Sequence, residues 1–152
     1  MVLPWRAQQL IAEVEQVFER ASSQTELQVQ SDYAKYLVVR VSGMVEQVII
    51  EVVSAHVAPR SSPTVAARVS WSLRTFQNPS IDRVLQLVAS FNRLWRDELE
   101  LTLTIEERDA LSSINTQRNR IAHGEDSTVS LVQVRQYHDE IKKLLSKVAD
   151  KF

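Results

Sequence analysis

Only two of the 152 residues are glycine, Gly43 and Gly124, and stretches that alternate apolar with polar residues are scarce. A sheet needs that alternation, and its tight turns draw on glycine, so the pattern argues against strands. Apolar residues instead recur at helical spacing from end to end. The expectation is an all-α fold, an antiparallel bundle of about five to six helices in one domain spanning residues 1–152.

Six helices follow from the periodicity and its breaks. The first covers about Pro4 to Ala21, opened by a proline and carrying Leu10, Ile11, Val14, Val17 and Phe18 on one face. A polar link from Ser22 to Gln30 precedes a long second helix, about Ser31 to His56. Its apolar positions Leu37, Val41, Met44, Val45, Val48, Ile49, Val52 and Val53 make it the central element, covered on several sides. Pro59 and Pro63 mark its end, and a short helix is expected from Thr64 to Phe76. Asn78-Pro79-Ser80 breaks the chain before a fourth helix from Ile81 to about Glu98. Thr104 and Glu107 spell a capping box for the fifth helix, which ends at His123-Gly124. Ser130 and Gln133 do the same for the sixth, which runs towards the C-terminus.

Composition removes several kinds of chemistry. Cysteine is absent, which excludes disulfides, thiolate nucleophiles and cysteine-held zinc, and fits a cytoplasmic setting. Two isolated glycines cannot build a phosphate-cradling loop or a glycine-flanked serine elbow. The opening residues carry no secretory signal, and no apolar run approaches the roughly 20 residues of a membrane span. A formal net charge of −1 argues against a protein that coats nucleic acid nonspecifically. The charge is uneven, however. Residues 52–96 hold Arg60, Arg68, Arg74, Arg83, Arg93 and Arg96 against Asp82 alone, whereas residues 97–109 hold six acids against Arg108. A local basic surface is compatible with this, as is a solvated helix face that uses arginine.

The densest chemistry lies in Arg118-Asn119-Arg120-Ile121-Ala122-His123-Gly124. On a helical wheel Ala110, Leu111, Ile114, Ile121 and Ala122 form an apolar arc. Ser112, Asn115, Asn119 and His123 line a polar stripe beside it. Arg118 falls inside the apolar arc, where a permanent charge must snorkel out, find an acid or face a partner chain. Positions 118 and 123 stand about 140° apart, so the arginine must wrap around to meet the imidazole unless the two meet across an interface. Arg120 lies opposite the apolar arc, a solvated charge available to a substrate. His123 also suits a helix C-cap, and the helix dipole there favours the imidazolium that a general acid needs. Asn119, one turn earlier, is placed to orient that ring or a phosphate, or is a plain surface amide.

RNA cleavage by transesterification matches these residue types. The ribose 2′-hydroxyl attacks the adjacent phosphate, which calls for proton transfer at two oxygens and positive charge on the phosphate. Histidine supplies the first and arginine the second, with no metal or cofactor. One histidine per chain leaves the acid or the base role short, and a two-fold dimer would fill it.

Arg118-Asn119-x-x-x-His123 near the end of a helical domain resembles the signature of the HEPN superfamily. Ser42-Gly43-Met44-Val45-Glu46-Gln47 in a long apolar helix, together with Gly124, a polar loop and a last amphipathic helix, resembles its RiboL-PSP branch from about Ser31 onward. The resemblance implies a HEPN-like homodimer acting on RNA as a metal-independent endoribonuclease, with Arg118, Asn119 and His123 in a shared cleft. It also implies a toxin or phage-defence effector, sometimes with a nucleotidyltransferase-type antitoxin. A catalytically silent module that binds nucleotide, RNA or protein is the alternative. Glu46, a charge in the most apolar helix, is the candidate supporting residue through a pair with Arg118 or Arg40, unless it is an ordinary surface glutamate. His56 and His138 make no metal-ligand spacing and read as ordinary solvent-facing or partly buried histidines. Trp5, Trp71 and Trp95 sit in predicted helices, where core packing or an interface outranks base stacking.

Overall fold

The computed structural model describes residues 2–152, which form seven α-helices and two short 3₁₀ turns without a strand. The helices are α1 (Trp5–Ser22), α2 (Leu27–Val57), α3 (Pro63–Ser72), α4 (Ile81–Phe91), α5 (Arg93–Thr102), α6 (Ile105–Ala122) and α7 (Leu131–Ala149). The turns are Ala58–Arg60 and Leu73–Thr75. Among the described residues no helix is long and apolar enough to cross a membrane.

The bundle is organised around α2, 31 residues long and about 46 Å from end to end. It packs against α1, α6 and α7, and Leu37, Val41, Val45, Val48 and Val52 are buried along it. Phe18 of α1, Ile114 of α6, and Ile141 and Leu145 of α7 close over them, so the buried residues make one continuous cluster. Such an element needs apolar residues on more than one face, which its sequence provides.

Both capping boxes form as expected. Thr104 accepts from the Glu107 amide while Glu107 accepts from the Thr104 amide, and Ser130 and Gln133 repeat the exchange at the start of α7. Three boundaries differ from the sequence expectation, the first being that the helix expected from Thr64 to Phe76 gives way after Ser72 to the turn Leu73–Thr75. Helix α2 begins four residues early, at Leu27, because nothing between Leu27 and Gln30 breaks a helix; Leu27 and Gln28 are exposed, and Val29 and Gln30 half-buried. The expected helix from Ile81 to Glu98 is cut in two at Asn92. That residue is extended (φ −158°, ψ 124°), and its side-chain oxygen accepts from the Leu94 amide at 2.8 Å, capping α5 as α4 ends. Asparagine competes for the backbone in this way, and the break lets α5 fold back on α4.

Candidate active site

Helix α6 is anchored at its start and free at its end. Glu107, Ala110, Leu111 and Ile114 are buried, and Glu107, almost fully enclosed, is met by Lys147 of α7 at 2.7 Å. Two turns later the burial fades: Ile121 is half-buried, and Ala122 and His123 are exposed. The apolar arc read from the sequence therefore stops short of Ala122. The last turn of the helix stands out from the core.

A complete Schellman ending holds that turn. His123 donates its amide to Asn119 O, Gly124 to Ile121 O at 3.1 Å, and Glu125 to Arg120 O at 2.9 Å. Gly124 adopts φ 70°, a conformation that costs an L-residue about 1 kcal/mol, so glycine here fixes where His123 is displayed.

Arg118 is half-buried, and its Nη1 donates to Asn119 Oδ1 at 3.4 Å. Among the described residues no acid pairs with it, which removes the reading of Arg118 as a packing residue neutralised by a buried carboxylate. The side chains of Arg120 and His123 are exposed and without a hydrogen-bond partner among the described residues. The structure thus brings Arg118 and Asn119 together and leaves His123 apart from Arg118 within one chain.

The polar stripe of α6 has a counterpart that the sequence did not point to. Ser112, Asn115, Thr116 and Asn119 line one wall of a groove of about 400 Å³, and Ser80, Ile81 and Asp82 at the start of α4 line the other. Asn115 donates to Pro79 O at 3.0 Å, and its Oδ1 is a buried acceptor without a partner among the described residues. Arg108, Asp109 and Asp82 make the groove mixed in charge. The sequence signals for it were the Asn78-Pro79-Ser80 break and the α6 stripe, but their meeting depends on the tertiary fold.

Glu46 takes a different part from the one expected. Its carboxylate accepts from the Asn78 amide at 3.2 Å and from Gln47 at 3.3 Å, and it pairs with neither Arg118 nor Arg40. Arg40 turns to Tyr36 and Glu13 instead. Asn78 has φ 43°, and Ser42 donates to its side chain at 3.1 Å, so Glu46 and Ser42 together clamp the turn that builds the groove's edge. The Glu46 carboxylate is committed to a loop amide 32 residues away.

The other histidines are structural. His56 Nδ1 lies 2.7 Å from Phe152 O, with its ring edge-on to Phe91, Trp95 and Phe152. His138 is fully buried against Phe18, beyond the partial burial expected for it. Its Nε2 lies 2.8 Å from Glu15 Oε1, and its Nδ1 is enclosed without a partner. Burial pushes the His138 imidazole below its ordinary value against the pull of Glu15. Burial alone would raise the Glu15 carboxyl, but hydrogen bonds from Lys142 and His138 hold it below the usual range. Among the described residues no group of three or more His, Asp or Glu side chains is placed to hold a metal ion.

The helical architecture agrees with the family whose model the chain matches. The chain belongs to the RiboL-PSP-HEPN family, whose model matches residues 3–152. No curated protein and no solved structure matches it.

Proposed function

We propose that the protein is a metal-independent endoribonuclease whose working site combines Arg118, Asn119 and His123 from two copies of the chain. The observation that carries this reading is the last turn of α6. It displays an arginine free of any acid and an exposed histidine, and Asn119 of the same turn lines a polar groove. In the reaction the 2′-hydroxyl oxygen bonds to phosphorus and gives its proton to one imidazole, while the 5′-oxygen leaves and takes a proton from the second. The products are a 2′,3′-cyclic phosphate and a 5′-hydroxyl end. Arg118, oriented by Asn119, neutralises charge on the phosphate oxygens, and Arg120 adds attraction for the strand. Family membership supports RNA as the substrate. It is also the support for a role as a cytoplasmic toxin or phage-defence effector, acting as one domain and restrained by a nucleotidyltransferase-type antitoxin.

Incubating the purified protein with RNA in EDTA tests the reading. Cleavage leaving cyclic phosphate ends is expected, and His123→Ala and Arg118→Ala are each expected to slow it about 100-fold or more. Neither residue is buried, so both variants keep the helical circular dichroism spectrum. Undiminished cleavage by both would overturn the assignment. A second reading, a catalytically silent RNA-binding module, has one observation in its favour: among the described residues no side chain hydrogen-bonds to the His123 ring. RNA binding without turnover, weakened by Arg118→Ala, would establish it.

A further inference from the structure

Helix α3 is the least buried of the seven α-helices. None of its ten residues is buried; Ala66 and Val69 touch the core while the opposite side faces solvent. Its helical form comes from its own start, where Ser62 accepts from the Val65 amide and Pro63 occupies the first turn. On the open side Trp71 is 56% exposed, and the Arg68 guanidinium lies over its ring, 4.6 Å from the centroid. An indole displayed to water with an arginine stacked on it makes no contribution to the core. Trp95 shows the contrast, since its ring is packed against His56 and Phe152.

Along the chain, the charge of this stretch has one sign. From residue 52 to residue 81 the chain carries Arg60, Arg68 and Arg74 and no acid. Arg60 is tied to His56 O, whereas Arg68 and Arg74 have no acidic partner among the described residues. Helix α4 lies between this side of the molecule and the groove of the candidate active site. A hollow of about 220 Å³, lined by Ser72, Thr75, Arg83, Gln86 and Ser90, lies between α3's end and α4. The first turns of α4 separate that hollow from the groove bordered by Ser80, Ile81 and Asp82.

We infer that this outer face of α3 binds single-stranded RNA, resting on the reading of the protein as one that acts on RNA. Trp71 stacks on a base through the ring face opposite Arg68, Arg68 meets a phosphate, and Arg74 meets the next phosphate. Stacking on an exposed aromatic ring needs an unpaired base, and positive charge without acids needs a polyanion; a single strand supplies both. The hydroxyls and amide of the hollow then lead the strand over the start of α4 towards Asn119. Trp71 and Arg68 are binding residues in this scheme, remote from the bond that breaks.

Fluorescence anisotropy with a labelled 2′-O-methyl RNA of about 12 nucleotides tests it on the wild-type protein, because that strand lacks the attacking hydroxyl and survives. Trp71→Ala is expected to weaken binding about tenfold, and Trp71→Phe to keep most of it. Arg68→Ala and Arg74→Ala should each lower affinity and reduce the salt slope by about 0.7. A duplex of the same sequence should bind more weakly and ignore the Trp71 substitution. Unchanged affinity in Trp71→Ala, or equal dependence of duplex and single strand on Trp71, overturns the inference. So does a Trp71→Ala variant that binds RNA normally but changes mass in light scattering, since the face is then a protein contact. Binding that depends on Trp71 in a protein that never cleaves RNA defeats the nuclease reading and leaves this one standing. Cleavage with binding indifferent to Trp71 does the reverse.

Discussion

His123 and His138 are the same residue type in opposite circumstances, and the buried one bears on stability. His123 is exposed at a helix end, while His138 is enclosed, with its Nε2 on Glu15 and its Nδ1 facing no acceptor. A proton added at Nδ1 would be a buried donor with nothing to bond, which agrees with the lowered affinity of this ring for protons. In the unfolded chain the imidazole titrates at its ordinary value, 6.5, so below that pH the unfolded state takes up a proton that the folded state refuses. Stability is therefore fully present above 6.5 and declines as pH falls towards the folded value. Glu15, held below 4.5, adds a loss of the same sign further into acid. Thermal melts from about pH 7.5 down to about pH 5 should show the melting temperature falling, with a shallower fall in His138→Gln. An identical slope in the variant would show that another group is responsible. Neither His138 nor Glu46 was legible from the chain, because Glu15 lies 123 residues from the first and Asn78 lies 32 from the second. Periodicity places a residue on a helix face but does not name the segment that packs there.

At the level of elements, what was local was readable. Both capping boxes lie within four residues and form as written, and the Schellman ending follows from one glycine in its place. The division of α4 from α5 escaped notice because Val84, Leu85, Val88 and Leu99 continue a helical rhythm across it. Asn92 carries the break in its side chain, which serves the Leu94 amide as an N-cap. Asn92→Ala removes that acceptor and is expected to lower stability by about 1 kcal/mol in urea unfolding, whereas Asn92→Asp should stay close to wild type. Equal stability of all three proteins would mean that packing of α5 alone sets the break. Helix α3 teaches the converse lesson: its start was readable, but it ends four residues before the expected Phe76, and that none of its residues is fully buried depends on its neighbours.

For the molecule as a whole, the motif was visible in the sequence and its completeness was not. The structure keeps Arg118 on Asn119, with His123 separate at the helix end, so one chain offers a single titratable ring to a reaction with two proton transfers. Two copies side by side supply both rings, and the protein is then expected to show twice its 17.4 kDa chain mass in light scattering. Mixing makes the stronger test, because a dimer with one His123→Ala chain lacks one of the two rings. When equal amounts of wild-type and variant chains exchange at random, about one quarter of the dimers carry two wild-type chains. Cleavage should therefore fall to about half of what the same quantity of wild-type chain achieves alone. Activity that simply tracks the amount of wild-type chain, after exchange has been verified, would mean that one histidine suffices. A monomer that cleaves at the full rate would remove the shared site altogether, and Arg118 would then have to reach His123 around its own helix.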